Sequence, residues 1–341
     1  MPNRRQARRL YEEALNRYGR EIAEAFRLAV QDLKEGADLQ RVIAAIEQGN
    51  IEAAVEAMNL DRAAFANLEA KIREAYATGG ALTAQTVPAS VGIGFRFNPG
   101  DPGAERWLRE HSSRLITGLV EEQREAVRAV LVQGRIDGVG PRAQITELVG
   151  RVSRATGQRT GGILGLSGPQ TDYLASARAE LASADPAGLR NYLTRARRDR
   201  RYDRAVHKAL RDGTTVPADT ARMAAEGYRS RMLAYRAEVI GKHEGHAAVR
   251  ASKQEAYDQL VATGRVAESD LEKVWLRTAA KNPRDSHVAM AGKTVGLKEA
   301  FTSPTGARMM YPGDSSMGAG ASDLVGCLCD FVIRIKREPS Q

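Results

Sequence analysis

Residues 275–329 read WLRTAAKNPRDSHVAMAGKTVGLKEAFTSPTGARMMYPGDSSMGAGASDLVGCLC and mark a change of pattern in the chain. Ahead of them, apolar residues recur mostly at helical spacing, whereas here short apolar pieces are separated by Gly, Pro and Ser. Strand patterns lie at 274–278, 293–295 and 331–335, the last with clean alternation in FVIRI. The sequence therefore predicts a mainly α protein, with a long helical N-terminal two-thirds followed by a small α+β C-terminal domain.

Composition narrows the class of protein. The 341 residues are enough for two or three domains with real cores, and only 5% are aromatic. No apolar run is long enough to span a bilayer, and the basic start lacks the apolar segment of a signal peptide, so we expect no membrane association. Two cysteines argue against a disulfide framework and for a reducing compartment. A net charge of +9 favours acidic partners, either nucleic acid or an acidic protein surface.

The helical part divides at glycines, prolines and capping residues. Asp38, Asn50 and Asp61 are positioned to cap three successive helices. The predicted helices cover 4–34, 39–48, 51–58, 62–76, 104–136, 142–156, 171–183, 186–211 and 218–262. We expect a helical N-terminal module (1–78), a Gly/Pro-rich linker or arm (79–103), a helical region (104–235) and a C-terminal α+β domain (236–336).

Residues 190–211 form a basic run that contains nine Lys or Arg residues and two Asp residues, so its net charge is +7. On one helix this density cannot be confined to a narrow face, so several guanidinium groups would be free for phosphates or carboxylates. The alternative is a solvated helix with no specific partner. The candidates for binding nucleic acid or an acidic partner are Arg195, Arg197, Arg198, Arg200, Arg201 and Arg204.

Two sets of residues resemble metal sites. Lys242-His243-Glu244-Gly245-His246 is similar to a zincin motif, but its histidines are three residues apart instead of four, and ordinary packing histidines are the alternative. Cys327 and Cys329, with His287 as a third ligand, have the donor chemistry of a structural zinc site. Two reduced thiols packed near a strand are the alternative reading, and a closed site would need a fourth ligand from a histidine or an acid.

The loop before His287 begins with Asn282-Pro283, which favours a turn. Beyond it, Arg284 and His287 are close in sequence. They fit an active-site loop, or a loop held in place by an ion pair between Arg284 and a carboxylate such as Glu244. No nucleophile, base and orienting group can be combined here at a convincing spacing, so we expect the structural role.

Several of these elements occur in a fixed order along the chain. They are Ile240-Gly241-Lys242-His243-Glu244, Trp275, Arg284 with His287 and Gly292, Tyr311-Pro312-Gly313-Asp314, and Cys327-Leu328-Cys329. In this order and spacing the segment from about Tyr235 to Cys329 resembles the phage head morphogenesis family, the Mu F-like minor head proteins of tailed bacteriophages. It departs from the family pattern at Lys242-His243, where Arg-Thr is usual, and at Leu328, where Arg is usual.

The resemblance implies a non-enzymatic minor capsid protein that associates with the portal and acts in head assembly and in DNA packaging or ejection. Implied partners are the portal protein, a major capsid or scaffolding protein, and double-stranded DNA through non-specific contacts. The implied location is the virion head, with the host cytoplasm during assembly. Two alternatives remain: an enzyme of the ADP-ribosyltransferase or zinc hydrolase kind, and a sequence-blind DNA-binding accessory protein.

Overall fold

A computed structural model describes residues 4–277 and 282–336. Helices account for 65% of it, which confirms the prediction of a mainly α protein with a small sheet-containing C-terminal region. The helices are α1 (Arg4–Gly36), α2 (Leu39–Glu47), α3 (Ile51–Ala57), α4 (Ala66–Thr86), α5 (Ala89–Gly92), α6 (Pro102–Ile136), α7 (Pro141–Val149), α8 (Gly168–Ala182), α9 (Pro186–Thr194), α10 (Asp203–Asp212), α11 (Ala218–Ala262), α12 (Asp285–Val288) and α13 (Ala321–Leu324). Single 3-10 turns lie at Arg62–Phe65, Arg200–Tyr202 and Glu268–Asp270.

Short antiparallel strands complete the fold. They are β1 (Arg151–Val152), β2 (Arg159–Thr160), β3 (Leu271–Leu276), β4 (Thr294–Gly296), β5 (Phe301–Thr302), β6 (Arg308–Met309) and β7 (Asp330–Ile335). The largest sheet has the order β4-β3-β7, with Trp275 opposite Phe331. All three predicted strands are present, although Thr278, the predicted end of the first, lies outside the described residues. In β7, Phe331 and Ile333 are buried while Val332 and Arg334 are exposed, as the alternation in FVIRI predicts.

The predicted caps are confirmed. The side chains of Asp38 and Asn50 accept hydrogen bonds from the backbone N–H groups of Arg41 (3.1 Å) and Ala53 (3.0 Å). Asp61 accepts one from Ala63 (2.9 Å), at the 3-10 turn that leads into α4. Each cap satisfies a donor that the first turn of a helix leaves unpaired.

The predicted linker at 79–103 is largely wrong, because α4 continues to Thr86 and α6 begins at Pro102. Gly79 and Gly80 do not end α4. Instead, they make room for close neighbours. A Cβ atom at Gly79 would lie 2.5 Å from the Ser252 hydroxyl oxygen, and one at Gly80 would overlap the Phe97 ring.

Two further helices are shorter than predicted. The helix at 142–156 ends as α7 at Val149, because Gly150 has φ +78° and leads into the β1–β2 hairpin. The helix at 186–211 is split into α9 and α10. Between them Asp199 caps the 3-10 turn by accepting a hydrogen bond from the Arg201 N–H (3.2 Å).

Internal contacts divide the chain into two compact units. The first consists of Met1–Phe26, Asn67–Ser113 and Glu238–Gln341, and the second of Arg27–Ala66 and Arg114–Ala237. Each unit is assembled from segments that are distant in sequence, whereas the sequence led to four consecutive segments. The region predicted as a C-terminal domain is thus part of a larger unit that includes helices from the first third of the chain.

The second unit is helical around a glycine-rich connection. Ile163, Leu164 and Leu166 are fully buried in it. The buried ammonium of Lys34 donates a hydrogen bond to the Gly161 carbonyl (2.7 Å), and burial lowers the pKa of Lys34 to about 8.

In the first unit, glycines bring α1 and α11 into close contact. A Cβ atom at Gly241 would overlap the Gly19 carbonyl oxygen and lie 2.8 Å from the Ala23 nitrogen. One at Gly245 would lie 3.3 Å from the Gly19 nitrogen. Glycine within a helix costs about 1 kcal/mol relative to alanine, so its use here reflects the need for a close helix crossing.

No helix in the described part of the chain is both long and apolar enough to cross a membrane.

Replacing Gly241 with Ala should therefore destabilise the protein. The added methyl group meets backbone atoms that cannot rotate away, and overpacking of this kind costs about 1–3 kcal/mol. Gly118→Ala in α6 is the matched control, because a Cβ there meets nothing within 4 Å. The control should gain up to about 1 kcal/mol from helix propensity. Urea unfolding midpoints measure both effects, and a Gly241→Ala midpoint at or above that of the wild type would contradict the close crossing.

Candidate functional site

The side chains of the C-terminal motif converge on a small buried cluster. Its core consists of Trp275, Met290, Phe301, Met309, Leu324, Cys327 and Cys329. Trp275 is fully buried and packs edge-on against the His287 ring with 5.5 Å between centroids. Cys327 and Cys329 are free thiols, both buried. The three side chains that the sequence offers as metal ligands therefore lie close together in this cluster.

The local structure explains why these three side chains meet. His287 lies on α12, whose first turn is preceded by Arg284 in an extended conformation. Cys327 to Cys329 run without helix or strand pairing directly after a turn at Gly326, which has φ +72°. The cysteines are two residues apart, and both point into the core while Leu328 between them is 42% exposed.

The geometry of the cluster is that of three converging ligand atoms. The Cys327 and Cys329 sulfurs lie 3.5 Å and 3.7 Å from His287 Nδ1. All three atoms lie within 4.8 Å of one another, and this is the one such group of three among residues 4–277 and 282–336. The hydrogen bond between the thiols lowers the pKa of Cys327 and raises the pKa of Cys329, with His287 adding to the first effect. The pair can therefore hold a thiolate even though it is buried.

The far side of the His287 ring faces an acid. His287 Nε2 lies 3.6 Å from an Asp323 carboxylate oxygen and has no hydrogen-bond partner among the described residues. Asp323 is itself buried and accepts a hydrogen bond from the Thr305 hydroxyl (3.2 Å). A buried carboxylate thus lies next to the one ring nitrogen that does not face the cysteines.

Arg250 of α11 connects the cluster to the rest of the unit. Its guanidinium donates hydrogen bonds to the carbonyls of Pro312 (3.1 Å) and Cys327 (3.2 Å), and it contacts His246 Nδ1 at 2.9 Å. The residue is only 3% exposed. One side chain therefore fixes two motif segments that are 15 residues apart to the same turn of helix.

The Tyr311-Pro312-Gly313-Asp314 segment forms a tight turn. The Asp314 N–H donates to the Tyr311 carbonyl (3.1 Å), and Gly313 takes φ +86°, which favours glycine. The buried Asp314 carboxylate accepts hydrogen bonds from the N–H groups of Met310 (2.9 Å) and Ser316 (2.8 Å). Gly292, at φ +80°, serves the turn between α12 and β4 in the same way.

The predicted contact between Arg284 and Glu244 is wrong. Arg284 instead donates to the Val325 carbonyl, next to the cysteines. Glu244 is buried and pairs with His111 Nε2 at 2.5 Å. Burial acts to raise the pKa of Glu244, but the charge and hydrogen bond of His111 outweigh it, so the pKa lies below its usual range.

His111 belongs to a stack that the sequence did not reveal. Trp107 stacks on His111 with 4.4 Å between centroids and on Tyr76 with 5.0 Å, and its indole N–H donates to the Tyr311 hydroxyl (2.9 Å). Through its contact with His111, the buried Glu244 carboxylate is therefore joined to a stack of aromatic side chains from α4 and α6.

The zincin-like segment does not assemble a metal site within the described residues. His246 contacts Arg250, and His243 Nε2 lies 3.9 Å from Glu244, whose other oxygen holds His111. Neither His243 nor His246 joins the group formed by His287 and the cysteines.

The basic run was predicted to lie on one helix, but the structure divides it among α9, a 3-10 turn and α10. Arg195 pairs with Glu180 (2.7 Å), Arg198 with Asp203 (2.9 Å) and Arg201 with Asp199 (2.6 Å). Arg197 lies over the Tyr235 ring, 3.4 Å from its centroid. Arg200 and Arg204 are exposed and form no ion pair within the described part of the chain. Half of the six candidate arginines are thus paired with carboxylates.

No family model matches the chain, and neither a curated protein nor a solved structure matches it. The function of the cluster has to follow from the chemistry of its own residues.

Arg250→Lys should destabilise the protein strongly. A lysine keeps the charge but cannot donate to both carbonyls, and each buried group left unpaired costs about 1–3 kcal/mol. We expect a loss of about 2–4 kcal/mol in urea unfolding. Arg20→Lys on exposed α1 surface is the control and should change stability by less than about 0.5 kcal/mol. Equal midpoints for the two variants would mean that Arg250 does not hold the motif.

His246 should make the protein less stable in mild acid. Burial, with the nearby charge of Arg250, lowers the pKa of His246 to about 3, from 6.5 for the free side chain. The unfolded state therefore binds the proton more readily, so stability is full above pH 6.5 and falls as the pH drops toward 3.

Urea unfolding at pH 7 and pH 5 tests this effect. His246→Asn, which keeps an acceptor for Arg250, should lose about 1–2 kcal/mol less than the wild type over that interval. His207→Asn, at an exposed position, should lose as much as the wild type. An unchanged pH dependence in His246→Asn would rule out His246 as the source.

Proposed function

We propose that the chain is a minor capsid protein of a tailed bacteriophage or prophage, a member of the Mu F-like head morphogenesis class that associates with the portal. One observation carries the proposal. The motif elements that resemble this family, although spread over 240–329, all lie in one unit, and the side chains of Trp275, His287, Cys327 and Cys329 meet there in one buried cluster. Elements that form a family signature are expected to meet in space when the signature encodes a fold.

A structural role without enzymatic activity is part of the proposal. Glu244, the general acid or base that the hydrolase alternative requires, is buried and hydrogen-bonded to His111. The Arg250 guanidinium donates hydrogen bonds to backbone carbonyls near the cysteines and the turn, and the Asp314 carboxylate accepts a hydrogen bond from a backbone N–H group. Residues used in this way stabilise loops, which suits a module that assembles with other proteins.

The partners we propose are the portal protein and a major capsid or scaffolding protein, with non-specific DNA contacts as a further function in the head. The surplus positive charge supports an acidic partner surface. Arg200 and Arg204 are the candidates for such contacts, because both are exposed and form no ion pair within the described residues. The proposed location is the virion head, with the host cytoplasm during assembly.

Fractionation of particles made by the encoding phage or prophage tests this proposal. Procapsids, mature heads and free tails would be purified and probed with an antibody against the chain. We expect the polypeptide in procapsids and heads, in far fewer copies than the major capsid protein, and in complexes captured through a tagged portal protein. Free tails are the negative control.

Absence from both procapsids and mature heads would overturn the proposal. Such absence, combined with steeply salt-dependent and sequence-blind DNA binding by the purified chain, would favour the DNA-binding accessory protein instead.

A further inference from the structure

We infer that Cys327, Cys329 and His287 bind a zinc ion through two sulfurs and Nδ1, with Asp323 orienting the histidine from behind. This inference rests on the geometry of the cluster and does not depend on a role in phage assembly. Sulfur and imidazole ligands in a tetrahedral arrangement are the set that zinc prefers.

The two distances from the His287 nitrogen to the cysteine sulfurs fit a tetrahedral centre. With Zn–S bonds of about 2.3 Å and a Zn–N bond of about 2.0–2.1 Å, the tetrahedral angle places nitrogen and sulfur about 3.6 Å apart. The observed distances from His287 Nδ1 are 3.5 Å to the Cys327 sulfur and 3.7 Å to the Cys329 sulfur. Both observed distances therefore match the nitrogen-to-sulfur edges of such a tetrahedron.

Charge and burial favour a divalent cation. All three ligands are buried, with His287 only 2% exposed. Two thiolates and one neutral imidazole around a 2+ ion sum to zero, so the ion and its three protein ligands can be buried without a net charge.

Asp323 has the position expected of a partner behind a metal ligand. A histidine that binds metal through one ring nitrogen usually donates its other N–H to a carboxylate or carbonyl group. Here Nδ1 faces the sulfurs, and Nε2, buried without a hydrogen bond among the described residues, lies 3.6 Å from Asp323. The tautomer that exposes the Nδ1 lone pair to a metal places the Nε2 proton toward Asp323.

The fourth ligand has room beside the cluster. A cavity of about 30 Å³ is lined by all three ligands together with Arg284 and Leu328. This is enough volume for a water molecule, which needs about 10–15 Å³. Three protein ligands leave the fourth position of a tetrahedral zinc ion open to such a water.

Metal analysis of the full chain is the first test. Protein produced with zinc in the medium and dialysed should retain close to one zinc ion per chain by elemental analysis. After removal of zinc with a chelator, addition of Co²⁺ should give thiolate-to-cobalt charge-transfer absorption and the intense visible bands of a tetrahedral centre. Retention of less than about a tenth of an equivalent, or octahedral cobalt bands, would overturn the inference.

Variants then assign the ligands. Cys329→Ser and His287→Gln should each weaken or shift the cobalt bands, and Cys327→Ser with Cys329→Ser should abolish the charge-transfer absorption. Asp323→Asn should keep the bands but lower zinc affinity by about 10–100-fold. His207→Gln and Asp212→Asn, both at exposed positions, are matched controls and should bind as the wild type does.

A helical circular dichroism spectrum establishes that each variant is folded. If a ligand variant does not fold, the test relies on the wild type from which zinc has been removed. Its cobalt spectrum and the rise in its thermal midpoint on adding zinc then show whether the site binds metal. Cobalt bands unchanged in folded His287→Gln, or no zinc-dependent rise in the wild type, would contradict the proposed site.

Discussion

The C-terminal motif depends on the buried guanidinium of Arg250. Burying a cation is costly unless its donors find partners, and Arg250 finds them in the Pro312 and Cys327 carbonyls and His246. The same helix brings Lys253, whose ammonium binds Asp330 at 2.8 Å and donates to the Phe331 carbonyl (3.0 Å) at the start of β7. One stretch of α11 thus supplies cationic donors to the turn, the cysteine segment and the sheet.

The position of α11 depends in turn on small residues. Gly241 and Gly245 let α1 approach, and Ser252 meets Gly79 of α4, so three helices pack closely where the polar contacts must be accurate. The cluster of His287 and the cysteines lies at the end of this chain of contacts. Its three side chains come from α12 and from a segment without regular secondary structure, neither long enough to be stable alone. Their arrangement is imposed by helices that carry none of the three side chains.

Local chemistry made part of this fold predictable. Caps such as Asp38 and the alternation in β7 depend on neighbouring residues, and the structure has them as predicted. Gly79 and Gly80 were predicted to end a helix because glycine disfavours helical conformation. Here both lie inside α4, and their lack of a side chain leaves room for Ser252 and Phe97, which are distant in sequence. Asp323 and Arg250 were missed for a similar reason, since their partners lie 36 and 62–77 residues away. The predicted ion pair between Arg284 and Glu244 does not form, because His111 from another helix binds the Glu244 carboxylate.

The two tryptophans of the chain have contrasting surroundings. Trp107 lies face to face with His111, and Trp275 meets the edge of His287. Indole emission is sensitive to the groups in contact with the ring, so each tryptophan reports on its own surroundings. The molecule therefore has two intrinsic optical reporters, one on the Glu244–His111 pair and one on the cysteine cluster. Replacing either tryptophan by phenylalanine separates the two signals without an external label.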